Sequence, residues 1–355
     1  MPDFIVNLWG SVPAVVQGLL LLALGIVLLV KGGDLLVSGA VTLAHKMGIP
    51  TLVIGLTVVA FGTSAPELAL NLAAALNDNS GLAFGNVVGS NIANIGLILG
   101  VAAIISPIRV NSIVIRRELP IMIGITLITV TLMWLPHSVG GVGAADDVTL
   151  HVLSRNDGAM LLGMFLCFIG YQVWAAKSPK SVGGIEPELE QFSEKDRKRT
   201  AGVGVVLVLI GLVGLAAGGK LSEMGAVSVA RVMGMSNELI GLTIVALATS
   251  LPELFTSVAA ARKGQADIAV GNVVGSNVFN LLLVLGASAM ANPVLVPVHG
   301  ERALVVLVGI SILLWPVCRM GGKMVSRIEG ALLLAIYIAV MAWEVWIAMG
   351  ARGGG

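Results

Sequence analysis

Of the 355 residues, 57% are hydrophobic and only 12% charged, and the mean hydropathy is +0.97. A soluble domain of this size carries about 25% charged residues, so the composition excludes one and predicts a polytopic membrane protein. The formal net charge of +1 excludes the basic face a nucleic acid partner needs, while Cys167 and Cys318, both inside apolar runs, imply neither a disulfide framework nor a cysteine metal site.

The first residues, MPDFIVNLWGSVPAVV, carry no basic cluster ahead of the hydrophobic run. The first segment is therefore expected to remain as a membrane helix rather than be cleaved. At about 20 apolar residues per span, the first half supplies spans at 12–30, 51–76, 82–105, 113–135 and 159–176. A half-apolar stretch at 35–49 reads either as an extension of the first span or as an interfacial segment. A polar linker follows at 177–200. Its Glu186, Glu188, Glu190, Glu194 and Asp196 lack the glycine-centred twelve-residue loop of a calcium-sensing hand, so it is expected to be solvated. The second half supplies spans at 201–217, 239–261, 268–291, 303–317 and 328–349, with a second half-apolar stretch at 221–235. Glu118, Glu301 and Glu329 fall at span ends and read as solvated caps, as does Glu238 after Ser236 and Asn237. Asp146, Asp147 and Asp157 read as a solvated acidic loop.

The halves are copies. Residues 55–100 align without a gap on residues 241–286, at an offset of 186, with about half the positions identical. Each half, 1–176 and 201–355, holds five spans, an odd number, so the copies enter the membrane from opposite sides. The predicted fold is all-α: ten transmembrane helices as two inverted five-helix repeats, the architecture in which ion sites sit near the midplane between repeats. With both termini outside, 16 of the 21 Lys and Arg fall in inside loops. The positive-inside rule thus makes the linker cytoplasmic.

Each repeat places a glutamate at membrane depth, in GTSAPE at 62–67 and ATSLPE at 248–253. Such a residue costs roughly 2.5–3.5 kcal/mol on insertion scales and marks function by default. Pro66 and Pro252 each remove a backbone donor and clash with the carbonyl four residues back. The second and seventh helices are therefore expected to be broken, which is tolerable only where freed carbonyls line a cavity or meet an ion. Thr63, Ser64 and Glu67 share one helical face, and Thr249, Ser250 and Glu253 repeat it. In the helices that follow, GNVVGSNIAN spaces Ser90 and Asn94 four apart, and GNVVGSNVFN spaces Ser276 and Asn280 likewise. Two carboxylates with six or more neutral oxygens suit a hard cation such as calcium, and no His or Cys accompanies them to favour zinc or copper. Gly85, Gly89, Gly271 and Gly275 form G-x-x-x-G pairs and read as packing contacts. Asn86, Asn272, Asn91 and Asn277 read either as packing bridges or as support for the ligands.

These paired motifs resemble the two alpha repeats of the cation/calcium exchanger superfamily, the sodium/calcium exchangers and their prokaryotic relatives. The resemblance implies that Glu67 and Glu253 are central calcium ligands, with Thr63, Ser64, Thr249, Ser250, Ser90, Ser276, Asn94 and Asn280 around them. It further implies ligation by main-chain carbonyls near Ala60 and Ala246, and sodium in small sites that share these ligands. Some relatives, including potassium-dependent ones, have Asp at the position of Asn280, so this chain's two acids argue against potassium dependence. The expected activity is Ca²⁺/Na⁺ antiport by alternating access, with no enzyme chemistry, no cofactor, inorganic cations and the bilayer as partners, and a monomer as the working unit. A Ca²⁺/H⁺ exchanger of the same fold is the first alternative and a passive cation channel a distant one. A serine hydrolase lacks a matched base at that depth.

Overall fold

The computed structural model describes residues 12–135, 151–177, 198–235, 240, 244, 246–297, 300–320 and 322–350. Outside them lie residues 178–197 of the linker with its acids, Asp146 and Asp147, the 236–238 cap and most of the first half of the seventh span. The described residues form ten helical segments, the seventh in part. They are α1 (Ala14–Met47), α2 (Thr51–Thr63 and Ala65–Leu76), α3 (Ser80–Ile105), α4 (Val114–Trp134) and α5 (Arg155–Lys177). The second repeat gives α6 (Ala201–Val232), α7 (Ala246–Ala248 and Leu251–Arg262), α8 (Ala266–Ala291), α9 (Gly300–Met320) and α10 (Arg327–Gly350).

The two half-apolar stretches belong to long spans and not to interfacial segments. α1 runs unbroken for 34 residues, or about 51 Å at 1.5 Å per residue, until Gly48 closes it in the left-handed region at φ 65°. α6 runs for 32 residues through Val232. Both exceed the hydrocarbon thickness of about 30 Å, so they tilt or project from it.

These two helices lie against each other along a seam of glycine. Gly18, Gly25, Gly32 and Gly39 recur every seven residues on α1, and Gly204, Gly211, Gly218 and Gly225 do so on α6. A Cβ on Gly25 would meet the Gly218 carbonyl at 2.7 Å, and one on Gly32 the Gly211 carbonyl at 2.9 Å. One on Gly39 would meet the Gly204 carbonyl at 2.8 Å, and one on Gly18 the Gly225 carbonyl at 3.0 Å. The pairs run in opposite order, so the helices are antiparallel and in backbone contact over four levels.

α3 and α8 occupy the centre: 94% of the apolar window of α8 is buried, against 17% for α1. Gly271 and Gly275 bring α8 against Leu52, Leu56 and Ala60 of α2, as expected of packing glycines. Residues 238 and 242, which match Leu52 and Leu56 in the second repeat, lie outside the described residues.

Two clips join the repeats. After α3, β1 (Ile108–Arg109) pairs antiparallel with β4 (Met324–Val325) before α10, and β2 (Val152–Leu153), before α5, pairs with β3 (Val294–Leu295), after α8. The clips obey the same pseudo-symmetry, except that the offset falls from 186 to 172 beyond α4 because the α4–α5 connection is longer. The same shift pairs Ser154 with Ser326 and Asp157 with Glu329. Ser154 N–H donates to Asp157 Oδ2 at 2.8 Å, and Ser326 N–H to Glu329 Oε2 at 2.7 Å. Both acids close capping boxes, so Asp157, 8% exposed, is not part of a solvated loop. Glu118 also departs from its expected role as a solvated cap. It is 1% exposed, accepts from Arg117 Nε at 2.6 Å and from Gln172 Nε2 at 2.9 Å, and forms an ion pair with Arg117.

Candidate cation site

The break in α2 falls at Ser64, whose φ −85° and ψ 5° lie between helical and extended, and the two halves meet at 45°. Ser250 repeats that conformation in α7, at φ −89° and ψ 0°. Proline enters the first turn of each second half, where its missing N–H is harmless. The carbonyls left without a helical donor are those of Gly62 and Ala248, four residues before the prolines. Glu67 and Glu253 follow in the first turn, where the positive end of the helix dipole favours a carboxylate.

The hydroxyls reach across the pseudo-twofold, and that of Thr63 also lies within reach of its own helix. Ser64 donates to Oε1 of Glu253 at 3.1 Å. Thr63 donates to Oδ1 of Asn272 at 3.1 Å, and its counterpart Thr249 donates to Oδ1 of Asn86 at the same distance. Asn272 in turn donates to the Glu253 carbonyl at 3.3 Å and to Ser257 Oγ at 3.0 Å. Asn86 and Asn272 thus bridge broken and central helices through the candidate ligand residues themselves, which fits both readings given for them. Ser250 donates to Ser90 Oγ at 3.2 Å, and Asn94 Nδ2 to Asn277 Oδ1 at 3.0 Å. Ala60, fully buried, already accepts the Ser64 N–H at 3.0 Å and the Thr63 hydroxyl at 3.3 Å. Offering that carbonyl to an ion requires the threonine to rotate away. Ala246 opens the described helical turn of the seventh span.

Two further features were not legible in the motifs. Asn94 and Asn280 each open a widened π turn, Asn94–Ile98 in α3 and Asn280–Val284 in α8, and such turns are frequent at functional sites. The second half of α2 packs against the α8 turn, and the second half of α7 against the α3 turn, so each glutamate helix meets the opposite repeat. Asn71, buried four residues after Glu67, donates to the Glu67 carbonyl at 2.7 Å. The Glu-x-x-x-Asn spacing was its only sequence signal.

Several oxygens in this buried set have no hydrogen-bond partner among the described residues: Glu67 Oε2, Glu253 Oε2, Asn94 Oδ1, Asn280 Oδ1 and Ser276 Oγ. Neither carboxylate pairs with Lys or Arg there. Buried ions cost several kcal/mol each unless compensated, and here the dipoles and hydroxyls compensate only in part. The unpartnered oxygens could be completed by a cation, and they are of the kind a hard one takes. No group of three His, Cys, Asp or Glu assembles among the described residues, so any cation held here would draw much of its coordination from neutral oxygens.

The family described as sodium/calcium exchanger protein matches residues 17–174 and 203–346, one stretch in each repeat. The chain is 36% identical over 328 residues to the inner membrane protein YrbG of Escherichia coli, covering 92% of this chain and 96% of that one. It is 33% identical over 350 residues to the sodium/calcium exchanger MaX1 of Methanosarcina acetivorans, covering 91% and 97%. The solved sodium-calcium exchanger NCX_Mj, soaked with 2.5 mM Na⁺ and 0.1 mM Sr²⁺, matches with a TM-score of 0.76 at 31% identity over 92% of this chain and 99% of that one. With two inverted five-helix repeats around paired buried glutamates, the chain belongs to the sodium/calcium exchanger family and is a cation antiporter of the membrane, not an enzyme.

Proposed function

We propose that this antiporter exchanges Ca²⁺ for Na⁺ at a site built on Glu67 and Glu253. Thr63, Ser64, Thr249, Ser250, Ser90, Ser276, Asn94, Asn280 and the carbonyls near Ala60 and Ala246 complete its ligands. The observation that carries the reading is the set of buried oxygens without partners, a carboxylate oxygen from each repeat among them. Two carboxylates balance one divalent ion or two monovalent ions, so occupancy by one excludes the other and couples the fluxes without a chemical step. An empty site would hold two uncompensated charges in a low-dielectric core, which opposes crossing without cargo. Alternating access follows if α1 and α6, the outlying glycine-bonded pair, move together across the other eight helices. Both termini outside and a cytoplasmic linker between repeats 1–176 and 201–355 fit the charge asymmetry. A single chain holds both halves of the site, which supports a monomer as the working unit.

Calcium-45 uptake into vesicles tests this when Na⁺, K⁺ and H⁺ gradients are imposed separately. Uptake is expected with the Na⁺ gradient alone. Equal uptake with and without it rules out sodium coupling, and uptake driven by pH alone replaces it with proton coupling.

Asn280→Asp adds a third acid where neither atom of the amide has a hydrogen-bond partner among the described residues. The Ca²⁺ to Na⁺ preference is expected to shift at least about tenfold, a change of 1.4 kcal/mol, at unchanged expression. Competition of Na⁺ against calcium-45 uptake reads it. Unchanged selectivity removes Asn280 from the ligands.

A further inference from the structure

Away from the glutamates, the start of α4, the end of α9 and the turns beside them line an open cavity of about 630 Å³. Ser112, Arg116, Arg319 and Lys323 line it together with Ile115, Pro120 and Trp315. Three of these are cations and none is an acid. The nearest acid in sequence, Glu118, is turned inward to Arg117 and Gln172. Two of the cations are held in place: the Arg319 guanidinium lies 5.5 Å from the centre of the Trp315 ring, and Trp315 donates to the Ile115 carbonyl at 2.9 Å. Lys323 Nζ donates to Ser112 Oγ at 2.8 Å. Its backbone is left-handed at φ 64°, a conformation uncommon outside glycine, and its carbonyl takes the Val110 N–H at 2.7 Å. The clip between β1 and β4 thus sets the lysine over the start of α4.

We propose that this cavity binds the phosphate of an anionic phospholipid. Lipid is favoured over free phosphate by position. The cations sit above the exposed apolar wall of α9, where Trp315 is 40% and Ile312 48% exposed, and an indole at that level suits the headgroup boundary. Basic pockets between membrane helices on the cytoplasmic side bind such headgroups, and the charge asymmetry of the sequence puts this end of α4 and α9 there. The pseudo-symmetric residue of Arg116 provides a contrast. Arg302 lines a cavity with Glu344 and four apolar side chains, which has no net charge to hold an anion.

Native mass spectrometry of the purified full chain tests the proposal, with phosphatidylglycerol, phosphatidylcholine and inorganic phosphate as separate probes. Phosphatidylglycerol adducts are expected to outlast phosphatidylcholine adducts, and millimolar phosphate is not expected to displace them. At roughly fivefold per surface cation, the triple variant R116Q/R319Q/K323Q should bind phosphatidylglycerol about a hundredfold more weakly. R116K/R319K should retain binding within about fivefold, and R302Q should match the unaltered chain. Equal retention of both lipids by the unaltered chain, or undiminished binding in the triple variant, overturns the site. Displacement of the lipid by phosphate would reassign it to a free anion.

Discussion

Glu253→Gln is expected to lower calcium flux by two to three orders of magnitude and, in the presence of a chelator, to leave the protein more stable. Breaking a buried charge pair by removing one partner costs about 3–5 kcal/mol, and here the pair is carboxylate and cation. The cost applies only when calcium is bound. With neither calcium, sodium nor protons to balance them, Glu67 and Glu253 are two like charges in the core, and the substitution removes one of them. The fold should tolerate the change because glutamine keeps the Oε1 that accepts the Ser64 hydroxyl, and the isosteric amide leaves the first turn of the helix intact. Glu67→Gln should behave in the same way.

Two measurements separate a ligand from a merely structural acid. A ligand that binds only the folded state stabilises it by about 2.7 kcal/mol at a hundred times its Kd, so calcium should raise the thermal midpoint of the unaltered chain. In Glu253→Gln that increment should vanish, while the midpoint in chelator stays level or rises. Near-normal flux in either variant, or an undiminished calcium increment, overturns the assignment of the glutamates.

The architecture was legible because the device repeats. One Glu-Pro kink is ambiguous. Two at an offset of 186, with GNVVGSN following each, leave inverted halves as the economical reading. Residue composition also announced the buried oxygens. Their partners were not legible: helical spacing groups Thr63, Ser64 and Glu67 on one face, yet Ser64 reaches Glu253 and Thr63 reaches Asn272. A 45° break at Ser64 re-aims side chains in a way no regular period encodes. The π turns at Asn94 and Asn280 escape for a similar reason, since one extra residue in a turn leaves no compositional mark. Glu118 was misplaced because its partner Gln172 lies on another helix, 54 residues away. The seven-residue glycine spacing, in contrast, was present in the sequence but concealed within long apolar runs.

That spacing carries the second large expected effect. Gly211→Val should lower stability by about 3 kcal/mol or more and suppress most of the transport. A Cβ at Gly211 would lie 2.6 Å from the Leu36 nitrogen and 2.9 Å from both the Gly32 oxygen and the Leu36 Cα. All three are backbone atoms, so no rotamer change relieves the clash and α1 must move as a whole. Overpacking by single methylene groups already costs about 1–3 kcal/mol, and valine adds two methyl groups beyond the Cβ. Small residues draw membrane helices together because lipid supplies no hydrophobic drive between them. Glycine every seventh residue, two turns at 3.5 per turn, keeps one stripe of α1 facing one stripe of α6 along a left-handed crossing. Four interlocked levels resist sliding of one helix past the other, so whatever moves α1 moves α6 with it. Gly309→Ala is the matched control: it is exposed on α9, and a Cβ there would meet nothing within 4 Å among the described residues. It should stay within about 0.5 kcal/mol of the unaltered chain and transport normally. Thermal unfolding in detergent and calcium-45 flux read both variants. If Gly211→Val unfolds and transports like Gly309→Ala, the seam is not what holds the pair together.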